Sequence, residues 1–354
     1  MSHLDILIPF GLPPAELSAD LLKELSAPAL STLTARAKSD PAATYHETFS
    51  DFSRALPHEH WLSRQFGLET ALKRRGSPPV AIALMQSLGL HADAGNWFIL
   101  QPVHIHIARD HLVLTDPRQL QLADQEARIL FDIAKSLLEE TGKPLLYGNA
   151  STWFVRADDW ADLQTSSPDA TSGHNIDIWM PKGPGEREWR KVQNEIQMHW
   201  FNHPINEARE MRGLKPVNSL WLWGGSDGNE VRAPGRYDSA FNLSAWLQAF
   251  GSFVTQHAKV DTTTDLLAND SGHKLLVLDT LLESALSNDW SRWLDGMRSF
   301  EADWFAPLLQ ALKAGTLDQV SLVLTNDARI SQFTASRSSL RKFWVKPSLA
   351  TLCP

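Results

Sequence analysis

The segment NHPINEAREMRGLKPVNSLWLWGG, Asn202–Gly225, joins a short polar helix to an apolar strand that ends on two glycines. Pro204 in the first turn and Gly213 after the last turn are typical of the start and end of a helix. The strand is continuously apolar, as is typical of a parallel sheet covered on both faces. We therefore expect Gly224 and Gly225 at its carboxyl end, either where a ligand approaches the sheet or in a tight turn without a ligand.

Composition and charge exclude several classes of protein. The chain has 354 residues with 43% apolar content, enough for a large core divided between two domains. Its formal net charge of −8 is spread without long runs of one sign, which argues against nucleic acid and anionic membranes as partners. No apolar run approaches the ~20 residues that span a bilayer. The single cysteine, Cys353, excludes an internal disulfide, and with no basic segment of a signal peptide at the start we expect a cytoplasmic protein.

Strands and helices alternate in the last third of the chain. Short apolar runs predict strands at Asp5–Phe10, Lys274–Leu282 and Gln319–Asp327. A 3.6-residue periodicity predicts helices at Asp124–Glu140 and Ala240–His257. The alternation is typical of an α/β domain with a largely parallel sheet.

Five segments occur in an order that resembles a known enzyme family. They are SGHNIDIWMP, NHPINEAR, GLKPVNSLWLWGG, SAFNLSAWLQAFG and LVLTND. Their order is similar to that of the archaeal-type cofactor-independent phosphoglycerate mutases, members of the alkaline phosphatase superfamily, over about Pro102 to Asp327. Over nearly its full length the chain resembles, more closely, a bacterial group labelled RpfE-type regulatory proteins.

The resemblance implies an α/β fold, with an alkaline-phosphatase-like parallel-sheet core and an inserted smaller α+β domain. The core would comprise residues 1–101 and 213–354, and the inserted substrate or cap domain residues 102–212. If this fold is shared, the carboxyl ends of the three predicted strands converge at one edge of a single sheet. Trp221 and Trp223 fall on one face of their strand, so we expect at least one indole in the core.

The resemblance also implies a chemistry: a phosphoserine relay beside two divalent metals held by aspartate and histidine side chains. The positions that correspond to metal ligands are Phe10, Asp279, Asp289, Asp327 and Ala328. Phenylalanine and alanine cannot bind a metal, and no histidine follows His273 in the chain. Ser77 matches the nucleophilic serine only with a shift and two intervening prolines.

Two classes of function stay open on these residues. The first is a non-catalytic, regulatory phosphoglycerate mutase-like protein without a cofactor, which binds a small anionic metabolite or a protein partner in a cleft between its domains. The alternative is an active metal-dependent phosphotransferase or phosphatase with an altered site, which would require Mn or Zn. Bound metal and turnover of a phosphate ester would favour the alternative.

Three groups of residues are candidates for contact with a ligand. They lie in or directly beside the segments that resemble the mutase motifs. In chain order they are His174, Asn175 and Asp177; His203, Asn206 and Arg209; and Gly224, Gly225, Ser226 and Asp227. For the second group, capping of a helix and bridging to a strand is the favoured interpretation. Substitution of Gly225 by valine should then change stability by no more than about 1–2 kcal/mol, if the backbone angles allow it, and abolish binding. Outside these groups, His104 and His106 on one strand face suit a metal or an anion, although a hydrogen-bonded surface pair is favoured.

Overall fold

The computed structural model describes residues 3–228, 235–268 and 272–353, which form two compact units. The first unit contains the described residues of Met1–Asp51, Leu56–Trp61 and Gly235–Pro354, and the second those of Phe52–Ala55 and Leu62–Pro234. Among the described residues, no helix combines the length and apolar character needed to cross a membrane.

The strands and helices are numbered in chain order. The strands are β1 (His3–Ile8), β2 (Thr44–Thr48), β3 (Trp97–Val103), β4 (Ile105–Ala108), β5 (His111–Leu114), β6 (Leu145–Asn149), β7 (Thr152–Arg156), β8 (Ser219–Ser226), β9 (Ser239–Phe241), β10 (Gln256–Ala258), β11 (His273–Val277), β12 (Gln319–Thr325) and β13 (Arg329–Ser336). The α-helices are α1 (Ser18–Glu24), α2 (Pro28–Ala35), α3 (Pro57–Gln65), α4 (Glu69–Arg75), α5 (Ala81–Ser87), α6 (Asp124–Glu140), α7 (Pro168–Thr171), α8 (Glu186–Phe201), α9 (Pro204–Met211), α10 (Thr263–Ala268), α11 (Leu282–Leu286), α12 (Trp290–Phe300) and α13 (Ala306–Ala314).

The first unit is built on one large sheet. Its strand order across the described residues is β10-β9-β11-β1-β12-β13-β2. The strands from β10 to β12 are parallel, whereas β13 and β2 are antiparallel additions at one edge. Asp5 of β1 lies between Leu275 of β11 and Ser321 of β12. The α/β fold class and the expected convergence of these three strands are therefore confirmed.

The second unit contains a small antiparallel sheet, with strand order β6-β7-β3-β8. The prediction that the strand at 219–226 is parallel is wrong, because β8 pairs antiparallel with β3. It is nevertheless buried along its whole length. Leu220 and Leu222 pack in a core with residues of α6 and α8, and the indole N–H of Trp221 donates to the Ser166 carbonyl at 2.9 Å. An antiparallel strand covered on both faces has the same apolar pattern as a parallel one.

The division into units also differs from the predicted domain boundaries near residues 102 and 213. Strand β3 crosses residue 102 and pairs with both β7 and β8. Residues on either side of both predicted boundaries thus share one sheet, and the observed unit extends to residue 62 and towards residue 234.

The helix predicted at Ala240–His257 is wrong. This segment forms β9, a 3-10 helix at Ala245–Phe253 and β10. Asn242 and Ala245 have positive φ angles of 59° and 47°, which an α-helix cannot contain. The predicted helix at Asp124–Glu140 is confirmed, since α6 has the same limits.

Substitution of Trp221 by alanine tests the placement of β8 in the core. The side chain is 1% exposed, as is that of Trp223, so the expectation of a buried indole is confirmed. Loss of a buried indole leaves a cavity, and we expect Trp221→Ala to lower the free energy of unfolding by about 3–5 kcal/mol in chemical denaturation. Trp344→Ala is the control, because Trp344 is 69% exposed and its loss should cost less than about 0.5 kcal/mol. Equal effects of the two substitutions would contradict the placement.

Candidate functional site

The carboxyl edge of the large sheet is the first candidate site. In a parallel sheet the loops that follow the strands gather at this edge, where ligands of α/β proteins bind. Here Phe10 follows β1, Ser244 follows β9, Asp279 follows β11 and Asn326 follows β12. These loops contain four of the five positions that the resemblance matches to metal ligands.

Phe10 occupies the end of β1 in a constrained conformation. Its φ angle of 56° is unusual for a residue with a side chain, and the residue is 6% exposed. Its backbone N–H donates to Oγ1 of Thr325 at 3.3 Å, and its carbonyl accepts from the indole of Trp293 at 2.7 Å. The backbone is thus held by two neighbouring elements, and an apolar ring takes the place of a carboxylate.

The turn after β12 is closed by the side chain of Asn326. This buried amide donates to the Pro13 carbonyl at 3.2 Å and accepts from the backbone N–H groups of Ala328 and Arg329 at 3.0 and 2.7 Å. Asp327 beside it is exposed. The amide therefore shapes the turn, and Asp327 contributes the only carboxylate of this loop.

Two further aspartates have local partners. The Asp279 carboxylate accepts a hydrogen bond from the hydroxyl of Ser244. Asp289 is exposed and caps α12, where it accepts from the N–H of Arg292 at 3.1 Å. Asp289 thus has a structural use, and the Asp279–Ser244 pair lies in the loops that follow β9 and β11.

Sequence reasoning missed two buried polar residues close to Phe10. His58 and Glu59 lie in the first turn of α3 and are 2% and 0% exposed. The rings of His58 and Phe10 are 6.5 Å apart between centroids, and Oε2 of Glu59 accepts from the Leu56 N–H at 2.6 Å. The signal was the dense run PHEHW at 57–61, but no periodicity identified it as buried.

Ser77 belongs to the second unit, whereas Phe10 and Asp279 belong to the first. Its hydroxyl is buried, lies 2.8 Å from Oγ1 of Thr165 and accepts from the N–H of Gly224 at 2.9 Å. This serine connects β8 to a neighbouring loop.

His203, Asn206 and Arg209 form a structural bridge, as the favoured interpretation predicted. His203 caps α9 through Nδ1, which accepts from the Ile205 N–H at 3.2 Å. Asn206 is hydrogen-bonded to both backbone groups of Val217, each within 2.9 Å. Their contact with a ligand stays a prediction.

Arg209 is fully buried, and all three of its side-chain nitrogens have partners. They donate to the carbonyls of Lys215 and Leu120 and to the carboxylate of Glu126. Arg212 donates to the same carboxylate. Burial by itself raises the pKa of Glu126, but the hydrogen bonds from the two arginines outweigh it and lower the pKa below its usual value.

The candidate loop at 174–177 lies on the surface of the second unit. His174 and Asp177 are exposed, and the ring of His174 is 6.0 Å from that of Trp179. Asn175 accepts from the Asp177 N–H at 3.1 Å and so starts a short 3-10 turn. Of the predicted ligand residues, His174 and Asp177 extend furthest into solvent, and their role stays a prediction.

The glycine pair and the two residues after it pack within the second unit. Gly224 has a φ angle of 70°, and a Cβ atom on Gly225 would lie 2.4 Å from the ring of Phe98. The Ser226 hydroxyl accepts from the Ile82 N–H at 2.9 Å, and Asp227 pairs with the buried guanidinium of Arg75 at 3.2 Å. A valine at position 225 would therefore meet the Phe98 ring, and the size of its effect on stability stays a prediction. A close approach of side chains, rather than of a ligand, explains this glycine.

His104 and His106 form the favoured hydrogen-bonded pair. Their rings are stacked, with centroids 5.8 Å apart. Nδ1 of His104 lies 2.9 Å from the Pro216 carbonyl, and Nδ1 of His106 lies 3.2 Å from the Thr115 hydroxyl. Burial lowers the pKa of His104 below its usual value.

A depression of about 450 Å³ in the second unit lies beside the end of α6 and the start of β6. It is lined by Lys143 and Arg156, but Lys143 pairs with Glu188 at 2.7 Å and Arg156 with Asp158 at 2.8 Å. Because carboxylates neutralise both cations, the depression offers little to an anionic ligand.

No protein-family model matches the chain. Its sequence is similar to the 2,3-bisphosphoglycerate-independent phosphoglycerate mutase of Methanosarcina acetivorans, with 26% identity over 210 residues, or 58% of this chain and 50% of that protein. The protein of the same name from Methanosarcina mazei is 23% identical over 206 residues, or 58% of this chain and 49% of that protein. The structure of the PH0037 protein from Pyrococcus horikoshii is similar with a TM-score of 0.51 and 14% identity, covering 95% of this chain and 87% of that chain.

These similarities indicate homology to the cofactor-independent phosphoglycerate mutases at low identity. The chain spans about half the length of the curated relatives it matches. The structural similarity, at 14% identity, shows a shared fold.

Replacement of Gly225 by valine tests the packing of β8 on β3. The new side chain meets the Phe98 ring, and overpacking of this kind costs about 1–3 kcal/mol. We expect a matching decrease in the free energy of unfolding. Gly228→Val is the control, since apart from its chain neighbours no described residue has an atom within 4 Å of a Cβ at that position. A stable Gly225→Val protein would show that β3 and β8 are further apart than described.

The carboxylate of Glu126 should make stability depend on pH. Because its pKa is lowered in the folded state, its contribution is fully present above the ordinary value of 4.5 and is lost as the pH falls below it. We expect Glu126→Gln to cost about 1–3 kcal/mol at neutral pH and progressively less in acid. Glu195→Gln, on the exposed surface of α8, is the control. A cost that is independent of pH would contradict the role of this charge.

Proposed function

We propose that this chain is a phosphoglycerate mutase-like protein with a degenerate metal and phosphoserine site. In this proposal it is non-catalytic and regulatory, and it binds a small anionic metabolite or a protein partner. The observation that carries the proposal is Phe10 at the end of β1, where the resemblance requires a carboxylate that binds metal. We also propose that the chain is related to the RpfE-type regulatory group, which its sequence resembles, and that its role is regulatory.

The residues at the carboxyl edge do not fit a pair of metal ions. A two-metal site needs several carboxylate and imidazole donors around ions about 4 Å apart. Phe10 and Ala328 have no side-chain donor atoms, and the oxygen of Asn326 already accepts two backbone hydrogen bonds. Asp279 and Asp327 are the carboxylates left at the matched positions of this edge, because Asp289 caps α12. Catalysis by a pair of metal ions at this edge is therefore not supported by these residues.

The nucleophile of a phosphoserine relay also lacks support. An activated serine needs a neighbouring base and access for the phosphate ester. The hydroxyl of Ser77 is fully buried and lies between Thr165 and the backbone of Gly224. This arrangement supports a structural role for the serine.

An anionic ligand is supported by homology and by one surface loop. The curated relatives are named for phosphoglycerate, an anion. His174 is exposed in the segment that matches the mutase motifs. We propose that this loop contributes to recognition of the anionic ligand. The cytoplasmic location of the protein remains a prediction.

One observation favours the alternative, a metal-dependent phosphotransferase or phosphatase with an altered site. His58 and Glu59 are buried close to Phe10 and are donors of the type that metal ions prefer. A relocated site that uses these residues would restore chemistry at the same edge of the sheet.

The purified protein should be assayed with 3-phosphoglycerate and with p-nitrophenyl phosphate, each with added Mn²⁺ or Zn²⁺. The proposal expects no turnover of either substrate. Turnover that disappears in His58→Ala or Asp279→Ala would overturn it in favour of the alternative. Turnover that both variants retain would not depend on His58 or Asp279, and it would overturn the non-catalytic role if a preparation from cells without this chain lacks it.

Calorimetric titration with 3-phosphoglycerate tests recognition separately. We expect binding that is weaker in His174→Ala and unchanged in His91→Ala, which alters another exposed histidine. No binding to the parent protein would exclude this metabolite and favour a protein partner. If His174→Ala and His91→Ala bind 3-phosphoglycerate equally well, the loop at 174–177 does not contribute to recognition.

A further inference from the structure

Two histidines and an aspartate meet at the amino edge of the large sheet, opposite the edge considered above. His3 of β1 is directly opposite His273 of β11, and Asp5 lies two residues beyond His3 on the same face. On the other side, Gln319 and Ser321 of β12 are opposite His3 and Asp5. The register of three parallel strands therefore brings these side chains together.

The three potential ligand atoms are close to one another. Nε2 of His3 lies 3.0 Å from Oδ1 of Asp5, and Nε2 of His273 lies 3.2 Å from Oδ2. One oxygen of Asp5 and one ring nitrogen of each histidine all lie within 4.8 Å of one another. The two imidazole rings stack with centroids 4.1 Å apart and an interplanar angle of 17°. Both rings thus present a nitrogen to the same carboxylate.

The two oxygens of Asp5 have different surroundings. The residue is 1% exposed, and Oδ2 accepts from the Tyr237 hydroxyl at 2.7 Å and pairs with Arg236 at 3.3 Å. Among the described residues no donor has hydrogen-bond geometry toward Oδ1, despite the nearby nitrogen of His3. A buried carboxylate oxygen without a donor is costly and points to a missing partner.

The Nε2 atom of His3 has three polar neighbours. It lies 3.0 Å from the amide nitrogen of Gln319, which can only donate. The orientation of that amide is set from its other side, because Lys38 donates to its oxygen. The same Nε2 atom lies 3.0 Å from Oγ of Ser321 and 3.0 Å from Oδ1 of Asp5.

The polar neighbours of Asp5 oppose the effect of its burial. Burial by itself would raise the pKa of this carboxyl, but the imidazoles of His273 and His3 and the guanidinium of Arg236 outweigh burial and hold the pKa well below its usual range.

We propose that His3, Asp5 and His273 bind one divalent transition metal ion of the zinc class. Two imidazole nitrogens and one carboxylate oxygen are a donor set that such ions prefer, and water completes the fourth position. The histidine side chains are 25% and 19% exposed, which gives an ion a path to the buried carboxylate.

Binding requires a small local adjustment. Ligands about 2.1 Å from a tetrahedral zinc ion are about 3.4 Å apart, so the two half-buried imidazoles close around the ion. Arg236 and Tyr237 hold Oδ2 and direct Oδ1 to the ion, as outer partners of metal ligands do. The positive charge of Arg236 opposes a dication, so we expect weaker binding than in structural zinc sites. The bound ion ties β1 to β11 at the start of the large sheet.

The test uses the full chain without an affinity tag, because a polyhistidine tag binds the same ions. Zn²⁺ is titrated by calorimetry, and Co²⁺ is titrated by visible absorption, which reports coordination directly. We expect one ion per chain, a cobalt spectrum typical of four ligands, and a melting temperature that rises with Zn²⁺. Binding should weaken by at least about tenfold in His3→Gln and in the double variant His3→Ala/His273→Ala.

The double variant His104→Ala/His106→Ala is the matched control. It removes a second pair of stacked histidines, which is not part of the proposed site. It should bind Zn²⁺ as the parent protein does. Circular dichroism without metal checks that every variant is folded. If the parent protein binds no Zn²⁺ and gives no cobalt spectrum, or if the His3→Gln protein binds as tightly as the parent, the proposal is wrong and the cluster is a hydrogen-bonded network.

Discussion

The parallel pairing of β1 with β11 on one side and β12 on the other is the constraint on which the first unit depends. This register places His3 beside His273 at one end of β1 and Ile8 beside Leu324 at the other. One strand thus determines what stands at both edges of the sheet. At the carboxyl edge it presents the ring of Phe10, and at the amino edge a carboxylate between two imidazoles. The polar chemistry of this strand lies at the edge opposite to the one that the resemblance indicated.

In the second unit, two buried arginines hold segments to which candidate ligand residues belong. Arg209 holds Glu126 and two backbone carbonyls, and Arg75 holds Asp227 behind the glycine pair of β8. A buried guanidinium without its partners is costly, so these contacts bind the loops firmly to the small sheet. Motifs that resemble those of the mutases therefore have a structural use in this chain.

Local patterns predicted individual elements well when their signal was strong and uninterrupted. The apolar run of β12 and the amphipathic period of α6 were recognised because burial of one face imposes a regular spacing. The segment at 240–257 has the same kind of period, but Asn242 and Ala245 adopt positive φ angles that break the helix. Periodicity reports which side chains are buried, and it does not report the backbone angle at a single residue.

The sequence by itself determined the α/β class, the strands that meet in the large sheet, the helix cap at His203 and the lack of side-chain ligands at Phe10 and Ala328. Each of these follows from residue type or local spacing. Only the tertiary structure decided that β8 pairs antiparallel in a separate sheet, and that His3, Asp5 and His273 share one site. Strand partners and register are long-range choices, and His3 and His273 are 270 positions apart in the chain. Burial on both faces gives parallel and antiparallel strands the same apolar pattern, so no local signal distinguishes them.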